Sequence, residues 1–392
     1  MKNLFTWIFF LIIVFPFQLL AQNSNLRLKK LHYENSIGEK AVTTFFYSLE
    51  NKNYKAKWEL LDGNRYSVNY HLLNDQDLLI RKYKEFSDSM TSNNFYKYDV
   101  NGNLIEDYFE RSDKVKGIAW YKYENGRKTE AECRGYNGYF FGFIKYIYEN
   151  DILIKGLIFK EGKETGFIDY KYDLAGNLII EFWNFGNWNQ TFTYEYEAIT
   201  SKKPDSYTYS SPFLLESSNI KEEIYNWNNE KKGISYFEYE DNTKLRNKIY
   251  KYDGKTTNTS FEYDEEGLLM KSTRISSDGQ KTVFYYHYNA DRKLIRRLCF
   301  ADFGYFGSES YAYDERGNLI EADWLKFDSW LTGSIKFTSK DDVLVSGYFS
   351  GKDGFNADLL FDSDNNKRVT KIDWKFTFNK TQTYQFKYSS EK

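Results

Sequence analysis

The chain is predicted to be all-β, built of tandem β-hairpin repeats of 24–25 residues that join into one long twisted antiparallel meander sheet, an open spiral or shell. Three observations predict it. Aromatic residues end short extended segments at a fixed step, an Asp-x-x-Gly turn follows them, and an aliphatic residue resumes the chain after the glycine. A fixed period of this length marks a repeat array, in which each unit buries its face only against its neighbours.

The unit is clearest in Tyr96-Lys-Tyr-Asp-Val-Asn-Gly-Asn-Leu-Ile-Glu106. Tyr96 and Tyr98 are two residues apart and so share one face of a strand. Asp99 is a turn residue that caps backbone amides, and Gly102 supplies the positive φ that closes the turn. Leu104 then opens the returning strand. The same turn recurs at Asp173 with Gly176, Asp264 with Gly267 and Asp314 with Gly317. Its aromatic anchors fall at 98, 123, 148, 172 and 196, and again at 239, 263, 288, 313 and 337, in steps of 24 or 25.

Elements are assigned in chain order. Residues 1–21 read as a signal peptide: Lys2 precedes an apolar run from Leu4 to Leu20 that ends at Ala21, a small residue suited to cleavage. The run is too short and too N-terminal for a membrane anchor, and no transmembrane span is expected after its removal. Residues 22–95 hold divergent, capping repeats such as Phe45-Phe-Tyr47 and Val68-Asn-Tyr70. Residues 96–200 are a regular hairpin array. An interruption follows at 201–238, where Pro204 and Pro212 remove ladder donors. A second array fills 239–392.

Composition narrows the function. Aromatic residues make up 20% of the chain against only 3 prolines, which excludes a disordered polypeptide. With 54 basic and 56 acidic residues the formal net charge is -2, and the signs are interspersed, so nucleic acid is not an expected partner. Cys133 and Cys299 occupy near-equivalent places in two distant repeats, which favours two small packed thiols over a bridge.

The Tyr-Asp-x-x-Gly-Asn-Leu segments at Tyr98, Tyr172 and Tyr313 resemble the YD repeat of Rhs-type bacterial surface and toxin-delivery proteins. That resemblance implies a strip of hairpins that coils into a shell. Tyr123-Glu-Asn-Gly-Arg-Lys, followed by Arg134-Gly-Tyr-Asn-Gly138, resembles a MORN-type repeat, which implies hairpins as well.

Catalytic signatures are missing from the sequence. His32, His71 and His287 are scattered, and no nucleophile elbow, zinc-protease motif, phosphate loop or Cys-x-x-Cys pair occurs. Carboxylates abound, but no pair stands out as a glycosidase-like acid and base. The motif aspartates are spaced for turn capping and not for a calcium loop, so neither a metal nor another cofactor is expected. Binding is the better expectation. Aromatic rings join Gly and Asn at the turns opposite the motif, in the segments holding Tyr136, Tyr139 and Phe140, Trp183 and Trp188, and Tyr305 and Phe306. Flat rings beside amides suit sugar stacking, although hairpin packing would also call for them. The expected protein is therefore an exported, non-enzymatic repeat scaffold in the periplasm, at the cell surface or outside a bacterial cell. It binds a protein or glycan partner. The alternatives are a carbohydrate-binding module using the aromatic turns and a shell around another polypeptide.

Overall fold

The computed structural model describes residues 25–74, 76–136, 140–199, 219–240, 243–302, 306–327 and 331–389. The signal-peptide assignment, Pro204, Pro212, Tyr139 and Tyr305 lie outside these described residues. The chain divides into two compact units, Met1–Ser201 and Lys202–Lys392.

The first unit opens with β1 (Leu26–Asn35), β2 (Lys40–Tyr47), β3 (Asn53–Leu60), β4 (Tyr66–Leu73) and β5 (Leu79–Phe86). It continues through β6 (Thr91–Tyr98), β7 (Leu104–Arg111), β8 (Lys116–Glu124), β9 (Arg127–Tyr136) and β10 (Phe140–Glu149). It ends with β11 (Ile152–Lys160), β12 (Lys163–Tyr172), β13 (Leu178–Asn184) and β14 (Asn189–Ala198). The second unit runs from β15 (Ile220–Trp227) through β16 (Glu230–Glu240), β17 (Lys244–Tyr252), β18 (Lys255–Tyr263) and β19 (Leu269–Ser276). Next come β20 (Lys281–Tyr288), β21 (Leu294–Ala301), β22 (Phe306–Tyr313), β23 (Leu319–Phe327) and β24 (Leu331–Lys340). It closes with β25 (Val343–Gly351), β26 (Asn356–Ser363), β27 (Val369–Phe376) and β28 (Thr381–Tyr388).

Each unit is a closed antiparallel barrel in which every strand pairs with its sequence neighbours. This corrects the expectation of one long open meander sheet, whether spiral or shell. The seam of the first barrel joins β1 to β14, from Leu26 opposite Ala198 to Asn35 opposite Gln190. That of the second joins β15 to β28, from Ile220 opposite Tyr388 to Trp227 opposite Gln382. The physical reason is the edge: an open strip leaves two rows of unpaired amides and carbonyls, and closure satisfies both. The divergent N-terminal strands are accordingly part of a closed wall, and β1 meets its partner at the far end of the array.

The local chemistry of the repeat follows the sequence closely. Asp99 Oδ1 accepts the amides of Asn101 and Asn103, each at 2.9 Å, and Asn103 Nδ2 donates to Asp99 Oδ2. Asp173, Asp264 and Asp314 each accept the corresponding pair of amides. Gly102 (φ 80°), Gly176 (83°), Gly267 (79°) and Gly317 (85°) take the left-handed conformation, and each amide donates to the carbonyl of its aspartate. This is the three-residue hairpin loop, a type I turn followed by a left-handed residue. A bulge follows on the returning strand: Tyr98 faces Leu104 and Lys97 faces Glu106, which leaves Ile105 unpaired.

A further contact recurs with the motif. The tyrosine before the turn reaches the preceding unit and donates its hydroxyl to a backbone carbonyl there. Tyr98 donates to Leu79, Tyr172 to Leu153 and Tyr196 to Leu178, at 2.8–2.9 Å. In the second barrel Tyr263 donates to Leu245, Tyr288 to Leu269 and Tyr313 to Leu294 over the same range. The acceptor is a leucine at the first or second position of a returning strand, which ties the tyrosine of one unit to the aliphatic residue of the last.

Strand periodicity sorts the faces. In β2, Ala41, Thr43, Phe45 and Tyr47 are buried while Val42, Thr44 and Phe46 are less so. Fourteen strands enclose more space than small side chains fill, since about eight strands suffice for a packed interior. Large rings close the difference in the first barrel, where Tyr96, Tyr121, Tyr146, Tyr170 and Trp183 belong to one core cluster.

Candidate functional site

The second barrel is filled unevenly. On one side Trp324 of β23, Phe349 of β25 and Trp374 of β27 converge, with ring centroids 5.9–6.0 Å apart. On the other, strands β16 to β21 wall a cavity of about 440 Å³. That volume falls within the range of small-molecule sites, about 300–1,000 Å³.

Period two explains the wall. Thr257, Thr259 and Phe261 alternate along β18 on the face that carries Tyr263. Ser272, Arg274 and Ser276 do the same on β19, facing them in register: Thr259 opposes Arg274 and Phe261 opposes Ser272. Thr282, Phe284 and Tyr286 follow on β20, and Arg297 on β21 opposes Tyr286. Ser235, Lys248, Tyr250 and Gln280 complete the lining. None of these lining residues is acidic, a histidine or a cysteine.

Lys248 and Arg297 pair with carboxylates on neighbouring strands of the same inward face. The Arg297 guanidinium makes a bidentate pair with Glu309, Nε at 2.7 Å and Nη2 at 2.9 Å, and Glu309 is 1% exposed. Lys248 Nζ lies 3.1 Å from both carboxylate oxygens of Glu223, to which Ser235 also donates. Phe284 stands between strands with guanidinium groups over its ring, Arg274 at 5.1 Å and Arg297 at 5.4 Å from the centroid. Ser272 and Tyr286 hydroxyls are 3.0 Å apart. The wall thus presents hydroxyl donors around aromatic rings, an arrangement that orients a ligand rich in oxygen acceptors.

The first barrel also carries ionisable groups inside, but they are occupied with one another. Lys128 is 5% exposed, and its ammonium sits over the rings of Tyr121 and Tyr146 at 4.9 and 5.2 Å. Burial pulls that ammonium down to about 7, against the attraction of Glu181. Burial likewise pushes the Glu181 carboxyl up to about 7, while hydrogen bonds from Tyr194 and Trp183 and the Lys128 charge pull it down. His71 contacts Asn53, and burial, helped by the Lys82 charge, lowers its imidazole to about 3, so it stays neutral. Asn94 donates to buried Asp107 at 2.9 Å. Shifted groups of this kind occur in active sites and in structural networks alike; here each is engaged with protein groups of its own wall.

The aromatic residues predicted as a sugar platform are spread over both barrels. Trp183 is 1% exposed, inside the first barrel, with its indole donating to Glu181, which removes it from any exposed platform. Trp188 is half-buried, 5.2 Å from the Phe185 ring, which in turn stacks on Trp183 at 5.8 Å. Phe140 is half-buried and packs on the same core cluster. Tyr136 ends β9 opposite Phe140, and Phe306 begins β22 opposite Phe300. The side chains of Tyr136 and Phe306, and the whole of Tyr139 and Tyr305, lie outside the described residues. Cys133 and Cys299 are both buried, one in β9 and the other in β21.

The cavity residues were missed because they look like ordinary strand polarity. The signal that points to them is positional. Thr257-x-Thr-x-Phe, Ser272-x-Arg-x-Ser and Thr282-x-Phe-x-Tyr place polar groups on the very face where the neighbouring motif puts its buried tyrosine.

No protein-family model and no curated protein matches the sequence. Among solved structures, the chain is similar to the toxin complex TcdB2-TccC3 at 12% identity, over 86% of this chain and 18% of that one, with a TM-score of 0.22. It is similar to a porin-like protein from Bacteroides uniformis at 11% identity, over 63% of this chain and 96% of that one, with a TM-score of 0.28. The chain thus spans less than a fifth of the toxin chain.

Proposed function

We propose that this protein is an exported, non-enzymatic binding protein whose second barrel holds a small polyhydroxylated ligand, a saccharide or the end of a glycan, at the bacterial cell envelope. The observation that carries the reading is the cavity of about 440 Å³ walled by Thr257, Thr259, Ser272, Thr282 and the rings of Phe284 and Tyr286. Hydroxyl donors fix sugar oxygens, while aromatic faces pack against the apolar faces of a pyranose ring. The lining lacks the paired carboxylates that glycoside hydrolysis needs, which favours binding over turnover. The envelope location rests on the apolar run from Leu4 to Leu20.

An aqueous setting for the first barrel is supported by its outer face. Cross-strand ion pairs join Lys97 to Glu106 at 2.6 Å, Lys122 to Glu130 at 2.5 Å and Lys155 to Asp169 at 3.4 Å. These residues alternate with the inward tyrosines, so they point outward, where a bilayer would penalise them. The shell alternative gains nothing from the first barrel, whose interior is occupied by its own side chains.

The test is a glycan array probed with the intact two-barrel chain and with a Thr257→Val, Thr259→Val double variant, which keeps shape and removes two hydroxyls. Saccharide binding that the double variant weakens at least tenfold, with unchanged circular dichroism, is the expected result. A protein that binds no saccharide overturns the reading.

A further inference from the structure

We infer that the first barrel forms an amide cross-link within itself, joining Lys82 Nζ to Asn94 Cγ, with Asp107 as the acid–base group. The three residues sit on adjacent strands. Lys82 of β5 lies between His71 of β4 and Asn94 of β6 in the ladder, and both of these are 4% exposed, so its face is the inward one. Asn94 Nδ2 donates to Oδ1 of Asp107 on β7 at 2.9 Å, and Asp107 is 1% exposed. The repeat shows how much this unit departs from its neighbours. Two residues before the buried tyrosine the array places Ala119, Ile144 and Ile168, where this unit has Asn94. Opposite that tyrosine it places Ala131 and Gly156, where this unit has Asp107. An amine, an amide and a carboxylate thus take neighbouring inward places that apolar filling takes elsewhere, at a cost in desolvation.

A lysine attacks an acyl carbon only as the neutral amine. Burial lowers the Lys82 ammonium from its usual value, against the attraction of the Asp107 charge. The step balances without a further reactant. The Lys82 amine adds to Asn94 Cγ, and the Asp107 carboxylate takes one of its protons and passes it to Nδ2, the nitrogen it already contacts. The Cγ–Nδ2 bond then breaks, ammonia leaves, and a secondary amide replaces the primary one. Holding amine and amide opposite each other in one wall supplies the proximity that such an exchange lacks in free solution. The product ties β5 to β6 in a chain whose Cys133 and Cys299 form no disulfide. It holds that part of the wall together when backbone hydrogen bonds open locally.

Tryptic peptide mapping of the purified intact chain by tandem mass spectrometry tests this. The expected product is a branched peptide joining the Lys82 and Asn94 segments, uncut after Lys82 and lighter than the sum of its parts by one ammonia. Lys82→Arg, which keeps the positive charge, and Asp107→Asn, which keeps the side-chain shape, are both expected to give unlinked peptides of full mass. Circular dichroism of each variant confirms that the barrel is intact. Wild-type peptides of full mass overturn the inference, as does an ammonia loss confined to the Asn94 peptide, which is cyclisation to a succinimide. A link that persists in Asp107→Asn overturns the part given to Asp107.

Discussion

The tyrosine that precedes each turn makes a contact that can be tested by removing one oxygen. Tyr263 is the sharpest case: it is 2% exposed and its hydroxyl donates to the Leu245 carbonyl at 2.9 Å. Tyr263→Phe keeps the ring and deletes the donor. A neutral hydrogen bond contributes about 0.5–1.5 kcal/mol net, and a buried acceptor left without it adds a desolvation cost of about 1 kcal/mol or more. The expected loss is therefore about 1–2 kcal/mol. For a unit of the size of Lys202–Lys392 this lowers the melting temperature by about 3–6 °C. Urea unfolding followed by tryptophan fluorescence and by circular dichroism reads it, with each barrel fitted as its own transition because the chain holds two units. Tyr263→Ala, which also removes the ring, is expected to cost about 3–5 kcal/mol. The pair separates the two roles of the residue. A Phe variant within 0.3 kcal/mol of wild type would show that tyrosine recurs for its ring alone, and the account of how one repeat is tied to the next would fall.

Two further outcomes are expected. Gly102 has φ 80°, and a Cβ built there meets nothing within 4 Å, so Gly102→Ala should cost about 1 kcal/mol through backbone strain alone, read as a lowered denaturation midpoint of the first barrel; Gly102→Asn should recover most of it. Glu181 has a folded pKa near 7, above its unfolded value, so its contribution to stability is complete below about pH 4.5 and is lost as pH rises through 7. Glu181→Gln should therefore gain on wild type between pH 5 and 8, by about 2 kcal/mol once the lost attraction to Lys128 is set against it, and a difference that is flat with pH would refute the assignment.

The sequence by itself determined the repeat unit. The Asp99 cap, the positive φ at Gly102 and the alternation that buries Tyr96 are dictated within a dozen residues, because hairpin turns depend on local backbone geometry. Fourteen strands in each unit, and their closure, were decided only by tertiary structure. Nothing in Leu26–Asn35 announces Asn189–Ala198 as its partner, since the seam joins residues more than 150 positions apart through generic backbone hydrogen bonds. The site divides in the same way. Thr259, Arg274, Phe284 and Arg297 look like ordinary strand residues until closure turns their shared face inward. Trp183, whose Asn and Gly neighbours suggested an exposed platform, is instead drawn into the core, because a barrel this wide needs large rings to fill it.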